Sequence, residues 1–231
     1  MLMNIANKIR DDDLRKKVVD FLENPTLSLG GKVYSGPSFE VSPGGLSHHH
    51  TYSGGYLEHL MATAQIAETL CNVVEEVYHG KVNRDTVVAG VLLHDIFKPI
   101  TYTLEDEGEF AAAPLADYLD HISLATAEMV RRDFPIELIH AVTAHYGGYG
   151  LIKPRTIEAL LVHLADNTDS QLNGQVLDAA YYLTRKATGE SLPKLNSKEA
   201  FEVVRSKQAE GWKGVEKAIN RIVQERSSQK T

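Results

Sequence analysis

Apolar positions along this chain recur mostly at helical spacing. Over residues 56–78, Leu57, Leu60, Met61, Ala64, Ala67, Leu70, Val74 and Val77 repeat at steps of three and four, which turns one side of a helix toward a core. Residues 84–97 are apolar almost all round, through Val87-Val88-Ala89-Gly90-Val91-Leu92-Leu93, and predict a helix in the middle of a bundle. Acids open a helix over residues 11–23, with Leu14, Val18, Val19, Phe21 and Leu22 inward and Pro25 beyond its end. Further helices are predicted over 116–132, 136–145 (ended by Gly147-Gly148), 156–172, 197–209 capped by Ser197, and 212–225. Residues 27–46, rich in Gly, Pro and Ser, read as a long ordered loop of the kind that covers a pocket. After Pro99, residues 100–104 and 109–110 flank acids and Gly108 and predict a small β-hairpin. The pattern is all-α with one small β-hairpin, and residues 227–231 read as disordered.

Composition adds bounds. The 231 residues suffice for one well-buried core, and they are read as a single domain. An N-terminal helix and loop (1–46) precede a core (47–175) and C-terminal helices (176–231). No apolar run approaches the roughly 20 residues of a membrane span, and the first ten residues lack a signal-peptide core. The one cysteine, Cys71, falls on an apolar helix face and reads as a core thiol. A cytoplasmic protein is expected; self-association is left open. The net charge of -7, from 24 basic and 31 acidic residues, argues against nucleic acid as partner, because phosphate neutralisation supplies most of such affinity. It leaves room for a small phosphorylated substrate.

The candidate chemistry begins at His94-Asp95, at the end of the most apolar helix. A buried imidazole and carboxylate need full partnering, and a divalent cation uses both. His59, His121, His145 and Asp166 stand at similarly apolar helix positions on four other segments, and bundle metal sites are built from such inward side chains.

These residues fall in an order that resembles the HD-domain metal-dependent phosphohydrolases. The segments are Gly54-Gly55-Tyr56-Leu57-Glu58-His59, Leu92-Leu93-His94-Asp95-Ile96-Phe97-Lys98, Asp120-His121-Ile122-Ser123, Ala144-His145-Tyr146-Gly147 and Asp166-Asn167-Thr168-Asp169. HD domains of bacterial 3'-5' exoribonucleases and archaeal HD proteins that open a cyclic phosphate of dihydroneopterin are nearest in motif. The resemblance implies an HD-type helical bundle with two ions: one on His59, His94, Asp95 and Asp166, the other on His121 and His145, with Asp95 bridging. Four imidazoles and two carboxylates suit Fe or Mn, with Co, Ni or Zn as further options, better than Mg or Ca. Three departures stand out. Phe97 occupies a position where the family often has glycine and is expected to reshape the pocket wall. The exoribonucleases carry an oligonucleotide-binding domain ahead of the catalytic part, for which the 46 residues before the motif here are expected to be too few, and the Gly-Tyr-Pro signature of cyclic-dinucleotide phosphodiesterases is absent.

The implied activity is metal-assisted hydrolysis of a small phosphate ester, foremost a cyclic or nucleotide phosphodiester, with Asp95 and Lys98 as catalytic residues. Lys98 is expected to hold a phosphate oxygen or assist the leaving group. Asp169 is read as an acceptor that fixes a histidine tautomer or as a substrate contact, and His49, His50, Tyr52 and Arg155 as contacts to phosphate or base. His140 and His163 read as packing residues or as supports behind the site's own side chains. The competing readings are an exoribonuclease and a non-catalytic nucleotide-binding regulator. The 27–46 loop and the hairpin are expected to shape specificity.

Overall fold

The computed structural model describes residues 1–105, 109–190, 192 and 194–228. Its helices are α1 (Leu2–Ala6), α2 (Asp12–Glu23), α3 (Gly55–Asn72), α4 (Arg84–Leu93), α5 (His121–Arg131), α6 (Ile136–Thr143), α7 (Ile157–Thr188) and α8 (Ser197–Ser228). Short polar side chains start five of them. Asp11, Asn83, Asp120, Thr156 and Asn196 accept hydrogen bonds from the backbone N–H groups of Leu14, Thr86, Ser123, Ala159 and Glu199, which satisfies donors a helix N-terminus leaves open. Asn196, and not Ser197 as expected, caps α8. The Asp120 cap starts α5 at His121, five residues later than its periodicity suggested, and residues 114–117 form a 3-10 turn instead.

Helix α4 is the central element. Seven of its ten residues are buried, and it packs against α3, α6 and α7 as well as α1 and α2. That is why its sequence shows no polar stripe. Regular helix stops at Leu93 rather than at residue 97, and residues 94–98 continue as turns that turn His94, Asp95 and Lys98 inward. Phe97 does not form a pocket wall: it is fully buried, with its ring edge-on to Phe21 at 5.4 Å.

The all-α expectation holds, with two hairpins rather than one. The expected hairpin pairs β3 (Tyr102–Leu104) with β4 (Phe110–Ala112), and residues 106–108 lie outside the described residues. The second pairs β1 (Leu27–Leu29) with β2 (Lys32–Tyr34) inside the segment read as a loop. Three-residue strands are too short to show alternation. Gly30 and Gly31, both at positive φ (58° and 76°), supply the turn.

Helix α7 runs sixteen residues past its expected end at 172, and its far half with α8 encloses a separate apolar cluster around Leu177, Leu195, Val203, Val215 and Ile222. Within α8, Gly211 has non-helical angles (φ 65°, ψ -147°), so the two expected helices are distinct segments. The second extends through Ser227 and Ser228, read as disordered; residues 229–231 of that tail lie outside the described residues.

The chain between the β1–β2 hairpin and α3 passes close to the start of α3, where Gly55 leaves room: a Cβ there would sit 2.3 Å from the His50 carbonyl oxygen. Backbone cannot yield as a side-chain tip can. Gly55→Ala is expected to cost about 2 kcal/mol and lower the melting temperature by about 4–8 °C, as read by thermal denaturation.

Candidate metal centre

Five segments bring six side chains to one point. His59 comes from α3, His94 and Asp95 from the turns after α4, His121 from the first position of α5, His145 from just after α6, and Asp166 from α7. Three of the imidazoles are oriented from behind. His94 Nδ1 lies 2.9 Å from the Val91 carbonyl oxygen, His145 Nδ1 2.7 Å from that of Val142, and His59 Nδ1 2.7 Å from Asp169 Oδ2. Each rear partner only accepts, so each Nδ1 carries a proton and the front nitrogen, Nε2, faces the centre.

The front nitrogens fall into two groups. His59 Nε2 and His94 Nε2 are 3.0 Å apart, with Asp166 Oδ1 at 3.4 Å and 3.7 Å from them. The second group is His121 and His145. Asp95 stands between. Its Oδ2 is 3.3 Å from His94 Nε2 and 3.5 Å from His59 Nε2, and its Oδ1 is 3.2 Å from His121 Nε2 and 3.7 Å from His145 Nε2. The groups His59–His94–Asp166 and Asp95–His121–His145 each bring three ligand atoms within 4.8 Å of one another.

These residues fit divalent cations on two grounds. Both oxygens of Asp95 and Nε2 of His145 are buried with no hydrogen bond of good geometry, although Lys98 Nζ pairs with Asp95 Oδ2 at 2.6 Å. Two imidazole nitrogens 3.0 Å apart, both backed by acceptors, repel unless a cation or a proton sits between them. Without a metal the proton is strongly held. Burial disfavours charge on His94, but Asp95 and Asp166 outweigh it and push its pKa up to about 10. Burial also opposes ionisation of Asp95, and Lys98 and His94 overcome it, holding the carboxyl well below its usual range. His145, desolvated and beside His94, is pushed down to about 4.

A cavity of about 700 Å³ opens onto this centre, lined by His48, His49, Lys98, His145, Tyr146 and Asp166, then by the polar side of α7 from Asn167 to Asp178. Among the expected substrate contacts, His49 and Lys98 line it and the other four do not. His50 is buried, its Nδ1 2.9 Å from Tyr52 Oη and its Nε2 2.8 Å from Asp169 Oδ2. Tyr52 is also buried; its hydroxyl reaches Glu58 at 3.0 Å, Asn173 at 3.4 Å and Ser197. Asp169 is occupied by His50 and His59. Positive φ at His48 and His50 (73° and 47°) turns these neighbours to opposite sides, which the run His48-His49-His50 does not reveal. Arg155 is exposed and contributes only a backbone N–H to His140 Nε2, at 3.0 Å. His163 sets its Nδ1 2.6 Å from the His145 carbonyl oxygen, behind the centre. The expectation overlooked Tyr146, Ser170, Gln171, Gln175 and Asp178; for the last four, the polar repeat at 167, 170, 171, 175 and 178 is the signal, cut short by ending that helix at residue 172.

The HD-domain family model matches residues 56–171, which contain all six converging side chains. The chain belongs to the HD-domain family. It is an HD-domain phosphohydrolase with His and Asp groups suited to divalent metal. It is 45% identical over 172 residues to the dihydroneopterin 2',3'-cyclic phosphate phosphodiesterase of Methanocaldococcus jannaschii, a match covering 74% of this chain and 69% of that protein. It is 27% identical over 192 residues to the 3'-5' exoribonuclease YhaM of a Geobacillus species, covering 71% of this chain and 54% of that protein. The Listeria innocua YhaM is 29% identical over 150 residues, 57% of this chain and 43% of its own length. No solved structure matches it. No helix among the described residues is long and apolar enough to cross a membrane.

Since His94 keeps its front proton up to about pH 10, a metal taking that nitrogen must expel it. Apparent Mn(II) affinity of the HD domain is therefore expected to rise by about tenfold per pH unit between about pH 6 and about pH 9, with proton release seen by calorimetry in buffers of different ionisation enthalpy. A flat profile would show that no proton is displaced from His94.

Proposed function

We propose that this chain is a divalent-metal phosphodiesterase that opens a small cyclic phosphate ester, with dihydroneopterin 2',3'-cyclic phosphate as substrate. The observation that carries the reading is the placement of Asp95, whose Oδ2 faces His59 and His94 of one ligand group while its Oδ1 faces His121 and His145 and completes a second. Its support from relatives is the 45% identity to a protein of that activity. His59, His94, Asp95 and Asp166 would hold one ion, and His121, His145 and Asp95 a second. Imidazole-rich sets of this kind suit Fe or Mn, then Co, Ni or Zn. Two such ions lower the pKa of water and neutralise charge on phosphate oxygens.

The chain's own residues supply the rest. Opening the ring adds water across one P–O bond: its oxygen goes to phosphorus, and a proton goes to the released hydroxyl. Lys98 is buried, beside Asp95 and on the cavity wall, so its ammonium stays charged and can hold a phosphate oxygen in a site where charge is poorly screened. Burial alone would lower its pKa, but the Asp95 carboxylate reverses the sign and raises it. Asp169, clamped by His50 and His59, holds the rear proton of His59 on Nδ1, so that the neutral ring presents its Nε2 lone pair to the centre. Tyr52 and Asn173 brace His50 in turn, its Nδ1 by the Tyr52 hydroxyl and its backbone N–H by Asn173 Oδ1 at 2.6 Å. These four residues act as positioning residues.

RNA is the weaker reading. The acidic balance of -7 gives a polyanion little to bind, and the exoribonuclease match spans about half of that relative.

The test is hydrolysis by protein loaded with Fe(II) or Mn(II), offered dihydroneopterin 2',3'-cyclic phosphate, nucleoside cyclic phosphates and short RNA. Turnover of the cyclic phosphates is expected, and digestion of RNA alone would overturn the proposal. Asp95→Asn is expected to lower kcat by about a hundredfold or more while circular dichroism is unchanged. Lys98→Ala is expected to cost about 2 kcal/mol of transition-state binding, or about thirtyfold in kcat/KM.

A further inference from the structure

A second cavity, of about 310 Å³, adjoins the first: His48 and Asp178 line both. Its walls include Ser47, Thr51, Phe110 and Tyr181, and it lies beneath the β3–β4 hairpin. We propose that this cavity is the subsite for the substrate's heterocycle and that Asp178 reads a guanine- or pterin-type edge. The inference rests on the phosphodiesterase reading only for what the heterocycle carries.

Distance, shape and chemistry support it. Asp166 and Asp178 lie on one helix twelve residues apart, about 18 Å at about 1.5 Å per residue. The polar face between them is continuous cavity wall, so a ligand with phosphate at the metal end can reach Asp178 with its other end. Phe110 and Tyr181 supply apolar ring surface for a flat group. Both are held in place. Lys194, in the segment before α8, pairs with Glu109 and lies 5.9 Å from the centre of the Phe110 ring, and the Tyr181 hydroxyl accepts from the Leu195 N–H at 3.0 Å. The volume is at the small end of ligand pockets, about 300–1,000 Å³, enough for a bicyclic ring.

The carboxylate sets the class. Asp178 makes no hydrogen bond or ion pair among the described residues, in contrast to the four other acids that line these cavities or stand at the centre, Asp95, Glu109, Asp166 and Asp169. An ionised carboxylate only accepts, and it is matched by two adjacent N–H groups. Guanine and pterin present a ring N–H beside an exocyclic amine. Adenine and cytosine present an amine beside a ring lone pair, which repels a carboxylate, and uracil an N–H between two carbonyls. Gln171 and Gln175, bonded to each other at 3.2 Å, keep an amide oxygen and an amide N–H for further polar groups along the way.

Equilibrium binding tests this without hydrolysis. Neopterin, which is fluorescent and lacks the phosphate, is titrated into the full chain, with guanosine and adenosine as competitors. Saturable binding, displaced by guanosine and not by adenosine, is expected, and Asp178→Asn and Phe110→Ala are each expected to weaken it by about tenfold or more with melting temperature unchanged. Should either variant misfold, Thr51→Val and Gln175→Ala, both at these cavities, are expected to weaken binding severalfold. No saturable binding, equal displacement by adenosine, or unchanged affinity in folded variants would overturn the proposal. Binding without turnover of any phosphodiester would overturn the reading of function and leave this one standing.

Discussion

A carboxylate sealed away from water costs several kcal/mol unless charges and donors around it replace the lost hydration. The Asp95 carboxylate is fully buried, and neither of its oxygens has a hydrogen bond of good geometry among the described residues, at the end of the most apolar helix of the chain. One lysine touches it, and four imidazoles surround it, each with a front nitrogen within 3.7 Å of one of its oxygens. The bundle is arranged to meet that constraint. Capping places His121 at the start of α5, the turns after α4 place His94 and Lys98, and backbone carbonyls or Asp169 fix the rear of three rings. Cations held by the two ligand groups would complete the neutralisation, and the same charge concentration is what a phosphate ester requires.

Much of this was legible in the residues themselves. An imidazole-carboxylate pair at the end of an apolar helix is a local conflict, and such conflicts mark functional sites. His59, His94, Asp95, His121, His145 and Asp166 do meet at one centre. What failed to show was the direction of side chains in non-helical segments. Left-handed backbone at His48 and His50 sends His49 to the cavity and His50 behind the centre. Nothing in a run of three histidines encodes that alternation. Arg155 lay close in sequence to motif segments but is set on an exposed connection. Phe97 read as a wall residue because it stands where the family often has glycine, yet it is buried edge-on to Phe21. The β1–β2 hairpin and the far half of α7 were missed for opposite reasons: three-residue strands carry no periodicity, and a helix with one side in a cavity loses part of its apolar stripe.

The C-terminal helices are tied to the centre through buried polar contacts. Ser197, the first residue of α8, meets Tyr52 and Asn173; these reach His50, and His50 shares Asp169 with His59. A ligand residue on α3 is thus oriented by side chains from α7 and α8, which gives the far helices a role beyond enclosing an apolar cluster. Helix α7 also joins the two chemistries. Asp166 belongs to the ligand groups at one end of the cavity wall, and Asp178 marks its other end.

Anomalous diffraction from crystals grown with Mn(II) tests most directly whether one carboxylate serves two ions. Two peaks are predicted, one beside His59, His94 and Asp166 and one beside His121 and His145, each touched by an oxygen of Asp95. A lone peak that Asp95 does not reach, or peaks held by other residues, would contradict the account.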